Sequence, residues 1–148
     1  MGLPRLRSRK KDGFLELMFM RVPGSCANAP CLEMFITNSM GKRSSRFLAR
    51  IDTGADISCV PKEAFRHIMP CMPGVPVLIR DHRGGVNREQ TFILTINLLG
   101  GGQTYKRVSP PRGVLIQDSL ETGLLGMDII LPYFRLEGEG INWRLIPR

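Results

Sequence analysis

Residues 47–56 read Phe-Leu-Ala-Arg-Ile-Asp-Thr-Gly-Ala-Asp, an apolar-rich run followed at once by a carboxylate on a tight turn. The run predicts a strand over residues 46–51, and the Thr-Gly pair predicts a turn that holds Asp52 at the strand end. A carboxylate that activates water needs such a rigid support. Gly54 permits close approach of backbone or ligand, and the small Ala55 leaves the carboxylate open to a cleft. Because Asp-Thr-Gly occurs once, chemistry that needs two such carboxylates requires two copies of the chain.

Length and composition predict one mostly β domain. The chain has 148 residues, of which 43% are hydrophobic, enough for a single real core. Its 16 glycines and 11 prolines are spread along the sequence, which is typical of many turns and short strands. We expect residues 13–148 to form this domain, with one or two short helices over residues 61–68 and 127–133.

Apolar, β-branched and aromatic runs separated by turn residues locate the strands. A hairpin tipped by paired glycines is predicted where the fifth strand meets the sixth, and a second hairpin ends the chain. The predicted strands cover residues 14–20, 32–37, 46–51, 57–60, 75–80, 86–99, 103–108, 113–116, 134–137 and 141–146.

The charge of +8 is concentrated at the N-terminus, where five basic residues fall between positions 5 and 11. Residues 1–12 are therefore predicted to be a basic, solvated tail. The other basic residues are scattered without interleaved aromatic residues or a zinc-finger or helix-turn-helix signature, which argues against nucleic-acid binding as the main function.

Targeting and metal signals are missing from the sequence as well. No segment resembles a signal peptide or a membrane span, so we expect an intracellular, cytoplasmic protein without a membrane partner. The four cysteines have no zinc-module spacing and are expected to be reduced thiols, with Cys59 in the core. Neither His67 nor His82 is spaced to form a Cys-His nucleophile pair or a metal site. No metal or cofactor is expected.

Two motifs in order carry a family resemblance. Asp52-Thr53-Gly54-Ala55-Asp56 follows a strand, and Leu124-Leu125-Gly126 lies near the end, with the glycine-tipped hairpin between them. In this order the chain resembles the retropepsins, the single-lobe aspartic proteases of retroviruses and of related cellular proteins. The resemblance covers residues 32–146 and implies a homodimer with the retropepsin-like acid-protease fold.

The resemblance also implies roles for individual residues. Asp52 from each subunit would form a catalytic dyad, and Thr53 would hydrogen-bond across the dimer axis. Gly54 and Asp56 would hold a polypeptide substrate as an extended strand. Leu124, Leu125 and Gly126 would support the catalytic loop from behind.

The hairpin over residues 77–92 would be a flap, with Arg83, Gly84 and Gly85 near its tip touching substrate. This tip is more polar than the viral pattern. A simple solvated connection between strands is the alternative for it.

The terminal hairpin is typical of the cellular members of the family, in which it builds the dimer sheet. We therefore expect residues 134–136 and 141–146 at a twofold interface. The sequence predicts an aspartic endopeptidase. The alternatives are a dimer of the same fold that binds extended peptides without cleaving them and, less favoured, a basic nucleic-acid module.

Overall fold

The computed structural model describes residues 14–23, 25–80, 83–99, 106–117 and 122–148, and of residues 106–108 it describes the backbone alone. The predicted tail over residues 1–12 lies outside these ranges, as do Asp81 and His82. In chain order the described elements are β1 (Leu15–Met20), β2 (Ala29–Thr37), β3 (Phe47–Ile51), β4 (Cys59–Pro61), α1 (Lys62–Arg66), β5 (Val77–Arg80), β6 (Val86–Glu89), β7 (Thr91–Leu99), β8 (Lys106–Val108), β9 (Arg112–Gln117), β10 (Gly123–Leu125), α2 (Met127–Tyr133), β11 (Phe134–Glu139) and β12 (Asn142–Pro147). The prediction of a mostly β chain with short helices is confirmed for these residues.

A closed ring of strands forms the centre of the molecule. Strand β2 pairs antiparallel with both β3 and β7. Following the pairings around gives the order β2-β3-β10-β4-β9-β7 and back to β2. Closure leaves these strands without open edges, and a ring of this size is filled by its own side chains.

Alternate residues of the strands point into the ring, and these residues are apolar. Leu32, Met34 and Ile36 of β2 face Leu94 and Ile96 of β7, and all of them are buried. Burying each such side chain stabilises the fold by about 1.5–3 kcal/mol. The packed core therefore holds the ends of the ring strands in fixed positions.

A second layer joins the chain termini. The first half of β1 pairs with β12 and its second half pairs with β2, while β11 pairs with β12 and lies at the outer edge of the sheet. The terminal hairpin was predicted to turn over Gly138-Glu139-Gly140, but its strands continue to Glu139 and Asn142. Gly138 lies under the indole of Trp143, where a Cβ would come within 2.4 Å of the ring. This glycine therefore permits close packing, and the turn uses Gly140, whose φ is +60°.

The predicted hairpin over residues 75–99 is divided by the structure. Strands β5 and β6 form a separate two-stranded ribbon, and the chain returns to the ring at β7. Gln90 marks the division, because its side-chain amide donates to the carbonyls of Gly74 and Thr91. The single long strand predicted over residues 86–99 is thus two strands with different surroundings.

Helix α2 spans Met127–Tyr133, the range predicted from the sequence, and contains Pro132. A proline has no N–H to donate to the carbonyl four residues earlier, which here belongs to Asp128. That carbonyl accepts a hydrogen bond of 2.7 Å from Nη1 of Arg112. The side chain of β9 replaces the missing helical bond, so the helix tolerates the proline.

No helix in the described part of the chain has both the length and the apolar character needed to cross a membrane.

Candidate active site

Strand β10 separates two strands that are consecutive in the chain. It runs parallel to β3 and antiparallel to β4, and its carboxyl end stands beside that of β3. The segment from Asp52 to Ser58 must therefore pass around the end of β10. The N–H of Asp52 donates to the carbonyl of Leu125 at 3.0 Å, which extends the ladder by one residue and fixes where the loop begins.

The loop orients the Asp52 side chain through its own backbone. Oδ1 of Asp52 accepts the N–H of Gly54 at 3.0 Å, and the carbonyl of Asp52 accepts the N–H of Ala55 at 3.1 Å. Aspartate commonly caps a turn in this way. Thr53, Gly54 and Asp56 are exposed, while Asp52 and Ala55 are half-buried. The carboxyl group is thus held in place and still open to solvent.

The second motif interlocks with this loop from behind. The N–H of Met127 donates to the carbonyl of Ala55 at 2.8 Å. A Cβ on Gly126 would lie 2.8 Å from that carbonyl oxygen and 3.0 Å from the backbone of Ile57. Leu125 is buried and Leu124 half-buried. The structure brings the two sequence motifs together, and the contact requires glycine at position 126.

A polar network that the sequence did not indicate ties the loop to helix α2. The N–H and hydroxyl of Ser58 donate to the two carboxylate oxygens of Asp128, at 3.0 and 2.7 Å. The Ser58 hydroxyl also accepts the N–H of Gly126 at 3.0 Å. Nε of Arg112 lies 3.5 Å from Oδ2 of Asp128 and completes an ion pair. Only the position of Asp128 two residues after Gly126 hinted at this role.

Arg50 is a second residue that the sequence analysis overlooked. Its Nη2 lies 3.3 Å from Oδ2 of Asp52, the carboxylate oxygen that the loop does not engage. The signal was available, because residues two apart on a strand share a face. A cation therefore stands beside the candidate catalytic carboxylate.

The nearby thiols do not supply a nucleophile. Burial, followed by the negative charges of Asp128 and Asp52, raises the pKa of Cys59 to about 11. Burial also raises the pKa of Cys31. Both thiols stay protonated near neutral pH, whereas a nucleophilic cysteine needs its thiolate. As predicted, Cys59 is a core residue, and the four cysteines, all within the described ranges, form no disulfide.

The predicted tip residues of the β5–β6 ribbon lie on an exposed turn. Arg83, Gly84 and Gly85 are all solvent-exposed, and Gly84 has a φ of +84° that favours glycine. Their contact with a substrate remains a prediction.

Metal-binding groups do not gather at this site. Within the described ranges, no three His, Cys, Asp or Glu side chains are placed to hold a metal ion. A cavity of about 460 Å³ lies elsewhere, between β1 and the terminal hairpin, lined by Glu16, Glu137, Trp143 and Arg144 among others. Asp52 does not line this cavity.

Comparison with known proteins bears on the fold. No family model matches the chain, and no curated protein matches its sequence. Among solved structures, the crystal structure of a retropepsin-like aspartic protease from Rickettsia conorii superposes with a TM-score of 0.51 at 14% sequence identity, over 89% of this chain and 91% of that chain. At this identity the likeness concerns the fold alone. This chain therefore has a mostly β, retropepsin-like fold.

Proposed function

We propose that the protein is an aspartic endopeptidase that acts as a homodimer, with one Asp52 contributed by each chain. The observation that carries the proposal is the Asp52 loop. Its carboxyl group is oriented by Gly54 N–H, its backbone is tied to Leu125, and the loop stands on a retropepsin-like fold. We assign residues 13–148 to the protease domain and residues 1–12 to a basic extension.

Two carboxyl groups are needed because one cannot be both acid and base in the same step. When two carboxyls lie about 3 Å apart they cannot both ionise, so the pair shares one proton and titrates in two separate steps. A single chain carries one Asp-Thr-Gly motif. A second copy related by a twofold axis supplies the other.

The proposed mechanism uses this shared proton. The ionised Asp52 takes a proton from a water molecule as that water attacks the scissile carbonyl carbon. The protonated Asp52 of the other chain hydrogen-bonds the carbonyl oxygen and stabilises the charge that develops there. Proton transfer to the leaving amine completes the hydrolysis, and no cofactor or metal takes part.

The substrate would bind as an extended strand. Main-chain hydrogen bonds from Gly54 and Asp56 on one side, and the β5–β6 ribbon as a flap on the other, would hold its backbone. Arg83, Gly84 and Gly85 at the ribbon tip would contact it from above. Thr53, exposed and without a side-chain hydrogen bond to any described residue, would bond across the dimer axis.

Dimerisation is proposed through the terminal hairpin. Among the described strands β11 is an outer one that pairs with β12 alone, and Ile141 at the turn is 68% exposed. Phe134 and Leu145 are buried within their own chain. They would support this surface, while the β11 edge and Ile141 would make the contact.

The proposal is tested with a peptide library at mildly acidic pH, using the parent chain and Asp52→Asn. The parent should cleave peptides and be inhibited by a peptide mimic with a central hydroxyl group, and Asp52→Asn should not cleave. Glu63→Gln, which changes an exposed carboxylate on α1, is the matched control and should cleave normally.

Mixing the chains tests the shared site directly. When equal amounts of parent and Asp52→Asn exchange freely, about a quarter of the dimers retain two carboxyls, so activity should fall to about a quarter instead of a half. A fall in activity to only one half, in proportion to the amount of parent chain, would contradict a dyad shared between two chains. Equal cleavage by parent and Asp52→Asn would contradict the role of Asp52, and a dimeric parent that cleaves nothing would favour the peptide-binding alternative.

A further inference from the structure

Arg50 lies directly beside the candidate catalytic carboxylate. Its Nη2 is 3.3 Å from Oδ2 of Asp52, and its side chain is 33% exposed. Its neighbours Ala49 and Ile51 are buried in the core, so Arg50 lies on the opposite face of β3 together with Asp52. A molecule that approaches Oδ2 of Asp52 therefore comes close to the guanidinium group that binds this oxygen.

The guanidinium group has unused binding capacity. It carries five N–H donors in a planar fork, and a bond to Oδ2 of Asp52 is its one hydrogen bond with the described residues. The fork can contact Asp52 through one nitrogen and a second carboxylate through the others. Guanidinium groups bind carboxylates in this bidentate way better than any other side chain.

Resting on the proposed function, we infer that Arg50 is a specificity-determining residue that binds an acidic substrate side chain, Asp or Glu, next to the bond that is cleaved. Because Arg50 contacts the carboxylate that takes part in the reaction, it can reach only the substrate side chains on either side of the scissile bond. In an extended peptide alternate side chains point to the same face, so each Arg50 would read one position.

A second reason for an acidic partner is charge. The two Asp52 groups of a dimer share one proton, so one of the two Arg50 guanidinium groups lies beside an Asp52 carboxyl without a full negative charge when no substrate is bound. A substrate carboxylate would give this guanidinium group an ionised partner, whereas a lysine at the same position would be repelled by it. The site should therefore select against basic residues as well as for acidic ones.

The test uses peptides that are identical except at the two positions beside the scissile bond, each occupied in turn by Glu, Gln or Lys. The pH is kept about one unit or more above the ordinary glutamate pKa, so that Glu is ionised. The parent should prefer Glu over Gln by about 5-fold to 30-fold in kcat/KM, mainly through a lower KM, and should cleave the Lys peptide worst.

Arg50 variants assign the preference. Arg50→Met should bring the Glu-to-Gln ratio close to one, and Arg50→Glu should favour Lys. Arg66→Met is the matched control, because Arg66 is an exposed arginine paired with Glu63 on α1 and its loss changes the net charge equally. The Glu-to-Gln ratio should be unchanged in this control.

The outcomes distinguish a wrong role for Arg50 from a wrong proposed function. A parent that cleaves Glu and Gln peptides equally well overturns the inference and leaves the proposed function intact, and this measurement needs no variant that folds. A Glu preference that survives in Arg50→Met, or a loss of kcat that is equal for all peptides, likewise overturns it. A parent that cleaves no peptide removes both proposals.

Discussion

The Asp52 loop and the β5–β6 ribbon differ in how they are held. The loop is fixed by backbone bonds to Leu125 and Met127 and by the buried Ser58–Asp128 pair. All four residues of β6 are exposed, and Leu78 of β5 is 71% exposed. The loop is supported from behind by the core, whereas in the ribbon six of the eight strand residues are exposed and only Val77 and Ile79 are half-buried.

This difference matches what each region has to do in the proposed reaction. A carboxyl group that activates water must be held to within a fraction of an ångström, which requires packed and hydrogen-bonded neighbours. A cover over a substrate must open and close, and moving elements have few buried contacts. The contrast predicts that substitutions behind the loop reduce stability, whereas substitutions in the ribbon affect substrate handling.

The largest effect is expected for Asp128→Ala. The change leaves the N–H and hydroxyl of Ser58 without their acceptors and leaves the partly buried Arg112 unpaired. Breaking a buried pair by removing one partner costs about 3–5 kcal/mol, and some exposure of Arg112 favours the lower end. Urea unfolding measures the loss, with the exposed Glu63→Ala as a control that should change by less than about 0.5 kcal/mol. Equal losses in the two variants would mean that the network does not hold the loop.

Gly126→Ala should come next, at about 2–3 kcal/mol, because its Cβ meets backbone atoms that cannot rotate away. Gly84→Ala is the matched change in the ribbon. Nothing lies within 4 Å of its Cβ, and its φ of +84° should cost only about 1–2 kcal/mol. Unfolding free energies of the two variants compare the regions directly, and a Gly84 variant as unstable as the Gly126 variant would remove the contrast.

Alkaline pH should lower the free energy of unfolding through Cys59, which lies at the start of β4 just after the Asp52 loop. Its pKa is raised from 9.0 to about 11 in the folded chain, so the unfolded chain loses the proton first as pH rises. The stability that Cys59 contributes is fully present below pH 9 and is lost as the pH rises towards 11. Thermal unfolding of the parent and of Cys59→Ala across this range should show a shallower alkaline decline in the variant. Parallel curves would contradict this role for burial.

The smallest stability change is expected for Leu78→Ser, at less than about 0.5 kcal/mol, because the side chain already faces solvent. Leu94→Ala in the core should instead cost about 2–5 kcal/mol. Hydrogen exchange should be faster for amides of β5 and β6 than for those of β7. In the proposed reaction Leu78→Ser should raise KM for peptides. A large loss of stability would show that the ribbon packs as the core does.

Local patterns accounted for much of the chain. The strand predicted over residues 46–51 is observed as Phe47–Ile51, and its hairpin partner, predicted over residues 32–37, pairs with it as expected. Such runs are read correctly because period, side-chain shape and turn residues all act between near neighbours. The terminal hairpin was placed correctly, but its turn was not, because a glycine under an indole ring resembles a turn glycine in sequence.

Strand β10 could not be predicted as a strand. Gly123-Leu124-Leu125 is too short to show a period, and it is extended because it lies between β3 and β4. The helix over residues 127–133 was predicted with its proline, but the hydrogen bond that compensates for Pro132 was not, since it comes from Arg112 on another strand. In both cases a partner distant in the chain overrides the local preference.

The sequence by itself determined that a strand carries Asp52 into a glycine turn, that the chain is mostly β, and that one copy holds one such carboxylate. These features depend on residues next to one another. Only the tertiary structure decided that Asp128 binds Ser58 from 70 residues away and that a side chain from β9 completes α2. Such contacts depend on strand register and on the order of strands in the ring, which the closing of the core sets for all strands together.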